Sequence, residues 1–163
     1  MKNRYGACIA VAALALISAG GVGAQSPAQS QSQALTLEGD IALWTMSIRP
    51  DKTADFERVM AKLRDGLAKS GNPERQKQLA GWKVVRVKTP LPDGNIAYVH
   101  VIDPVVAGAD YTIMKALYDA FPEERQALYE LYRGAFVGNL SLASGDVVLD
   151  MSAPGGGAQT PAP

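Results

Sequence analysis

The chain has 163 residues, with 16 basic and 16 acidic side chains, one histidine and one cysteine. A balanced charge leaves no electrostatic footprint for nucleic acid or an anionic membrane surface. A lone cysteine excludes an internal disulfide and a thiolate metal cluster, so stability must come from a packed core.

Lys2 and Arg4 precede an almost wholly apolar stretch over 7–19, and Val22-Gly23-Ala24 supplies small residues at the spacing a signal peptidase needs. Residues 1–24 are therefore expected to be an export signal cleaved after Ala24, leaving a periplasmic or extracellular product. The apolar stretch is too short to cross a bilayer of about 30 Å, and no second run of suitable length follows, so the mature form is expected to have no membrane span. Cys8 leaves with the signal, which also removes Lys2 and Arg4 and leaves 14 basic against 16 acidic residues. Residues 25–37 read as a flexible linker, and the Gly-, Pro- and Ala-rich residues 153–163 as a disordered tail. One domain is expected over 38–152, a length close to the commonest domain size.

Within that domain, Ile41 to Arg49 (IALWTMSIR) has the composition of a strand and stops at Pro50. Asp51 or Thr53 can cap the helix that follows. Over Thr53 to Ser70 the residues Phe56, Val59, Met60, Leu63 and Leu67 fall on one helical face, and Gly71 ends the run. Glu74 to Leu79 suits a polar helical turn or two, Trp82 to Lys88 a second strand, and Thr89 to Asn95 (TPLPDGN) a tight connection. Ile96 to Asp103 (IAYVHVID) is the third strand. Asp110 can cap a second long helix carrying Met114, Leu117, Tyr118 and Phe121 on one face; it is expected to bend at Pro122, continue through Leu128, Leu131, Tyr132 and Phe136, and end at Gly138 and Asn139. Asp146 to Met151 (DVVLDM) alternates and reads as the last strand.

The resulting order, strand, helix, strand, strand, helix, strand, resembles the ferredoxin-like βαββαβ unit, a four-stranded antiparallel sheet with both helices on one face. Within that class the chain is similar to the dimeric α+β barrel superfamily, on the strength of the domain's size, the interrupted second helix and the absence of a disulfide. The resemblance implies an α+β fold with strands one and three central, and a homodimer whose two sheets meet by their helix-free faces around a cavity. The superfamily hosts unrelated chemistries, so the fold alone assigns no activity.

Alternation divides each strand between two faces. The uniformly apolar sets Ala42, Trp44, Met46 and Ile48; Val85 and Val87; Ala97, Val99 and Val101; and Val147, Leu149 and Met151 are expected beneath the helices. The mixed sets, containing Leu43, Thr45 and Ser47; Trp82, Val84 and Arg86; and Tyr98, His100 and Ile102, are expected on the helix-free face. Trp82, Arg86, Tyr98 and His100 are the expected ligand-lining residues there, for a small, partly apolar molecule. His100 is either a half-buried strand residue at a dimer seam or a base in the cavity, in which case Arg86 or Tyr98 would stabilise developing negative charge.

No catalytic residue, metal ligand or cofactor site is assigned, because a single histidine without cysteines makes a poor zinc or copper site. A Ser47, His100, Asp150 triad fails on geometry, since the serine's strand would separate the other two. The charged run Glu74, Arg75 and Lys77, with Lys83 nearby, reads as a solvated surface. Three readings follow: an exported homodimer that binds a ligand between sheets, a cofactor-independent enzyme of monooxygenase or isomerase type, and an accessory dimer with no ligand.

Overall fold

In the computed structural model, residues 34–152 are described. The expected export signal, most of the expected linker and the Gly/Pro/Ala tail lie outside them. Strand β1 (Ile41–Ile48) forms where β-branched, aromatic and apolar residues concentrate, and buries Ala42, Trp44, Met46 and Ile48 as alternation requires. Pro50, which cannot donate to a ladder, opens a short 3-10 turn, Pro50–Lys52, that leads into helix α1 (Thr53–Lys69). This lead-in takes over the start of the helix, and neither Asp51 nor Thr53 serves as a side-chain cap. Phe56, Val59, Met60, Leu63 and Leu67 form the buried stripe of α1.

Helix α2 (Pro73–Gly81) starts with Asn72 Oδ1 accepting the Glu74 N–H at 2.8 Å, and Pro73 fits the first helical position because its missing N–H would have had no partner there. Its last residue is a glycine for a steric reason: a Cβ on Gly81 would lie 2.8 Å from the Pro104 carbonyl oxygen and 3.0 Å from that of Asp103. The chain passes directly into β2 (Trp82–Arg86) and returns through β3 (Ile96–Ile102), with Gly94 at φ 83° in the connection. Helix α3 (Ile113–Ala120) ends ahead of Pro122, as expected of a residue that breaks the helical ladder. A 3-10 turn, Pro122–Glu124, joins it to α4 (Arg125–Ala135), and β4 (Phe136–Gly145) follows without a loop.

The four strands form one antiparallel sheet in the order β2-β3-β1-β4, which with the helices makes an α+β fold. The main core lies between one sheet face and helices α1, α3 and α4; it joins Trp44, Met46, Ile48 and Tyr98 to Phe56, Leu63, Ile113, Leu117 and Leu128. A smaller cluster of Leu37, Ala42, Ile102, Ala109 and Tyr111 closes one end. Leu35 and Leu37, expected in the flexible linker, belong to the folded structure. Leu37 is buried, the Leu35 N–H donates to Asp110 Oδ1 and Thr112 Oγ1, and its carbonyl accepts from the Tyr111 N–H at 2.8 Å.

Two expectations are corrected. The last strand is Phe136–Gly145, not Asp146 to Met151. Gly138-Asn139 looked like a helix stop, yet Asn139 lies within the strand and its Oδ1 accepts the Trp44 indole N–H at 2.9 Å. β1 is already paired on both edges, with β3 and β4, which leaves the alternating 146–151 segment no central strand to join.

The second correction concerns β2 and β3, which present their other faces to the helices. Trp44 pairs with His100 and Met46 with Tyr98 across β1 and β3, and Arg86 pairs with Tyr98 across β2 and β3. Residues directly opposite in a ladder share a face. Tyr98, His100, Ile102, Trp82, Val84 and Arg86 thus lie on the helix side with Trp44 and Met46, and Ala97, Val99, Val101 and Val85 on the other.

Candidate functional site

β2 is an edge strand, and α1 does not cover it fully on the helix side. The space between them is a cleft of about 420 Å³. Met60, Leu63 and Leu67 of α1, Leu79 of α2, and Trp82 and Val84 of β2 give it apolar walls. Glu57, Arg86 and Tyr98 give it a polar end, and Arg64, two turns farther along α1, borders the apolar part. Three of the four expected site residues, Trp82, Arg86 and Tyr98, therefore meet in one cleft, on the opposite side of the sheet from the one expected.

The polar end is organised around Glu57. Tyr98 donates its phenolic O–H to Glu57 Oε1 at 2.5 Å, and Arg86 Nη1 donates to the same oxygen at 3.5 Å. Tyr98 is almost fully buried, and the Phe56 ring packs 4.7 Å from its own. Burial, followed by the hydrogen bond to the Glu57 carboxylate, pushes the Tyr98 phenol well above its ordinary pKa of 10.0, so it stays a proton donor throughout the physiological range. Glu57 and Arg86 are each about half exposed, and their charges face water and any occupant together. One end of the cleft thus offers a fixed hydroxyl, a carboxylate and a guanidinium, and the rest offers apolar contact. That set can orient an amphipathic molecule, and the carboxylate can accept a proton from it.

His100 is placed differently. It is fully buried and does not line the cleft. Its Nδ1 accepts the Trp82 indole N–H at 3.0 Å, and since an indole N–H can only donate, Nδ1 must carry the lone pair and Nε2 the proton. Nε2 has no hydrogen-bond partner among the described residues. The rings of Trp44, Trp82 and Phe56 surround the imidazole at 5.2, 5.8 and 6.2 Å between centroids. Burial pulls its pKa from 6.5 to about 4, which keeps it neutral at physiological pH. The expectation that His100 lines a ligand cavity or acts as its base is therefore corrected. Trp82 contacts the cleft, and His100 holds Trp82.

Glu57 was missed because it reads as an ordinary charged residue on a helix. A signal was present: Glu57, Ala61 and Arg64 recur at i, i+4 and i+7 along the border of the apolar stripe, where a small residue between two charged ones leaves room beside the sheet. Among the described residues no group of three His, Cys, Asp or Glu side chains is arranged to hold a metal ion, and no helix is long and apolar enough to cross a membrane. Compared with protein-family models, curated proteins and solved structures, the chain matches none.

Proposed function

We propose that this chain is an exported, homodimeric domain of the ferredoxin-like, dimeric α+β barrel type, and that it binds a small, partly apolar molecule in the cleft between α1 and β2. The observation that carries the proposal is the cleft itself: apolar walls ending in the Tyr98, Glu57 and Arg86 cluster, with volume enough for a small organic molecule. Its occupant would lay an apolar body against Val84, Leu63 and Trp82 and set a hydrogen-bonding or anionic group against Tyr98 and Arg86. Sequence alone supports export, through the layout of residues 1–24.

Pairing of two copies is supported by the sheet face opposite the helices. It presents Leu43 and Val85, each nearly half exposed, beside the partly exposed Val99 and Val101. A contiguous patch of this kind is characteristic of an interface. The β1-β3 centre, flanked by β2 and β4, accords with the barrel-forming unit.

Anilinonaphthalene sulfonate is a suitable probe, because it joins an apolar body to an anionic group. Saturable binding with energy transfer from Trp82 in a Trp44→Phe background is expected. Val84→Arg should weaken it about tenfold, the equivalent of about 1.4 kcal/mol. Binding unaffected by Val84→Arg would refute the cleft as the site. Native mass spectrometry reads the subunit count and any retained molecule, and a monomer at micromolar concentration would refute the pairing.

A further inference from the structure

A second cleft, of about 510 Å³, opens where the C-terminal turn of α1, the start of α2 and helix α3 meet. Its charged lining is lopsided: Lys69, Arg75 and Lys115 face a single carboxylate, Asp119. Arg75 looked like part of a solvated run, yet its side chain is only 14% exposed. Neutral groups hold it in place, with Nη1 donating to the Asp110 carbonyl oxygen at 2.7 Å and to Gln78 Oε1 at 3.1 Å. Nη2 stands 3.9 Å from Asp119 Oδ2, too far for a hydrogen bond, and that oxygen already accepts from Lys115 Nζ at 2.8 Å.

The Lys69 ammonium has no carboxylate partner among the described residues and sits 5.7 Å from the Phe121 ring centroid. A largely buried guanidinium with unused N–H groups, beside a lysine without a counterion, is electrostatically incomplete. At the third wall, a Cβ on Gly71 would meet nothing within 4 Å, so the backbone there leaves the opening unobstructed.

We propose that this cleft binds a dianionic oxyanion of the phosphate-monoester class, with Arg75 Nη2, Lys69 and Lys115 as its ligands and Asp119 as the internal competitor that the anion displaces from Lys115. Within the cleft's lining three cations face one carboxylate, and the Asp110 carboxylate, outside the lining, also acts on Lys115, so the lining keeps an excess of positive charge suited to a multiply charged anion. The site is separate from the cleft proposed above for a partly apolar molecule and stands or falls independently of it.

The test uses the full chain and inorganic phosphate, followed by calorimetry and by phosphorus NMR line broadening at fixed ionic strength with chloride as the reference anion, so that general screening does not register as binding. Saturable binding stronger for phosphate than for the monoanion acetate is expected. Lys69→Ala and Lys115→Gln should each weaken it about tenfold, as befits loss of one charge-assisted contact. Asp119→Asn should strengthen it, since it removes the competing carboxylate, a gain that a merely structural role for Asp119 does not produce.

Cosedimentation with phosphatidylcholine vesicles containing phosphatidic acid separates the two sources of the group. Pelleting that Lys69→Ala abolishes identifies a lipid headgroup, and phosphate binding without pelleting identifies a free ester. The proposal is overturned if phosphate binds no better than chloride to both the parent and Asp119→Asn, or if the lysine substitutions leave its affinity unchanged in variants whose circular dichroism matches the parent.

Discussion

Tyr98 and His100 lie two residues apart on the same face of β3, beneath the same helix, yet they do opposite things. Over His100 the molecule lays Phe56, Trp44 and Trp82, and the imidazole is sealed among rings with one of its two nitrogens satisfied. Over the hydroxyl of Tyr98 the next residue of α1, Glu57, supplies a carboxylate, and edge strand β2 supplies Arg86. One position becomes structural and the other becomes the polar end of a cleft. The lesson is that a polar tip on a buried strand takes its role from the side chain the covering helix presents to it, and one step along α1, from Phe56 to Glu57, changes that role.

The sharpest way to break this contrast is to put a charge where the ring is sealed. His100→Asp buries a carboxylate among Trp44, Phe56 and Trp82 and should cost about 4 kcal/mol in urea denaturation. A loss below 1 kcal/mol would show that water reaches the position.

Acid should act on the same group without mutation. The folded pKa of His100 is about 4 against 6.5 when exposed, so between these values the unfolded chain binds more protons than the folded one, and stability rises with pH. The contribution is fully present above pH 6.5 and fades as pH falls toward 4. Stability should therefore drop by about 2 to 3 kcal/mol between pH 7 and pH 4.5. His100→Phe should flatten that slope, and a slope that persists in this variant would assign the effect to other groups.

Effects at the open end should be smaller for stability and larger for ligand. Tyr98→Phe removes the hydrogen bond to Glu57 and keeps the ring, so a loss of about 1 kcal/mol is expected, with little change in the acid slope. Arg86→Ala should change stability by less than about 0.5 kcal/mol, as expected of a half-exposed ion pair, and still reduce anilinonaphthalene sulfonate affinity severalfold. If Arg86→Ala destabilised the fold more than Tyr98→Phe did, the two residues would have exchanged structural and functional roles.

Much of the secondary structure was legible in the chain. The α1 stripe of Phe56, Val59, Met60, Leu63 and Leu67 is buried as its spacing requires, and Pro122 interrupts the second helical run where proline chemistry says it must. The last strand was hidden because its apolar residues do not keep a period of two. Val137, Leu140 and Leu142 straddle a register shift against β1 at Thr45 and Met46, which takes Leu140 out of the ladder. The regular alternation of 146–151 was the more strand-like signal, yet the edge of β1 that the last strand was expected to join is already taken by Phe136–Gly145.

Residue types and their spacing by themselves determined the first three strands and the helical runs, though not the last strand, because those preferences are set within a few neighbouring residues. They also brought Trp82, Arg86 and Tyr98 together as one set, since alternation along two paired strands is local. They did not determine which side of the sheet that set occupies. Ile96 to Ile102 is nearly apolar throughout, so neither face is marked as inner by composition, and a shift of one residue in register exchanges the faces. Only the pairing of Trp44 with His100 and Met46 with Tyr98 resolved that choice, and with it which polar tips would be sealed under Phe56 and which would meet Glu57.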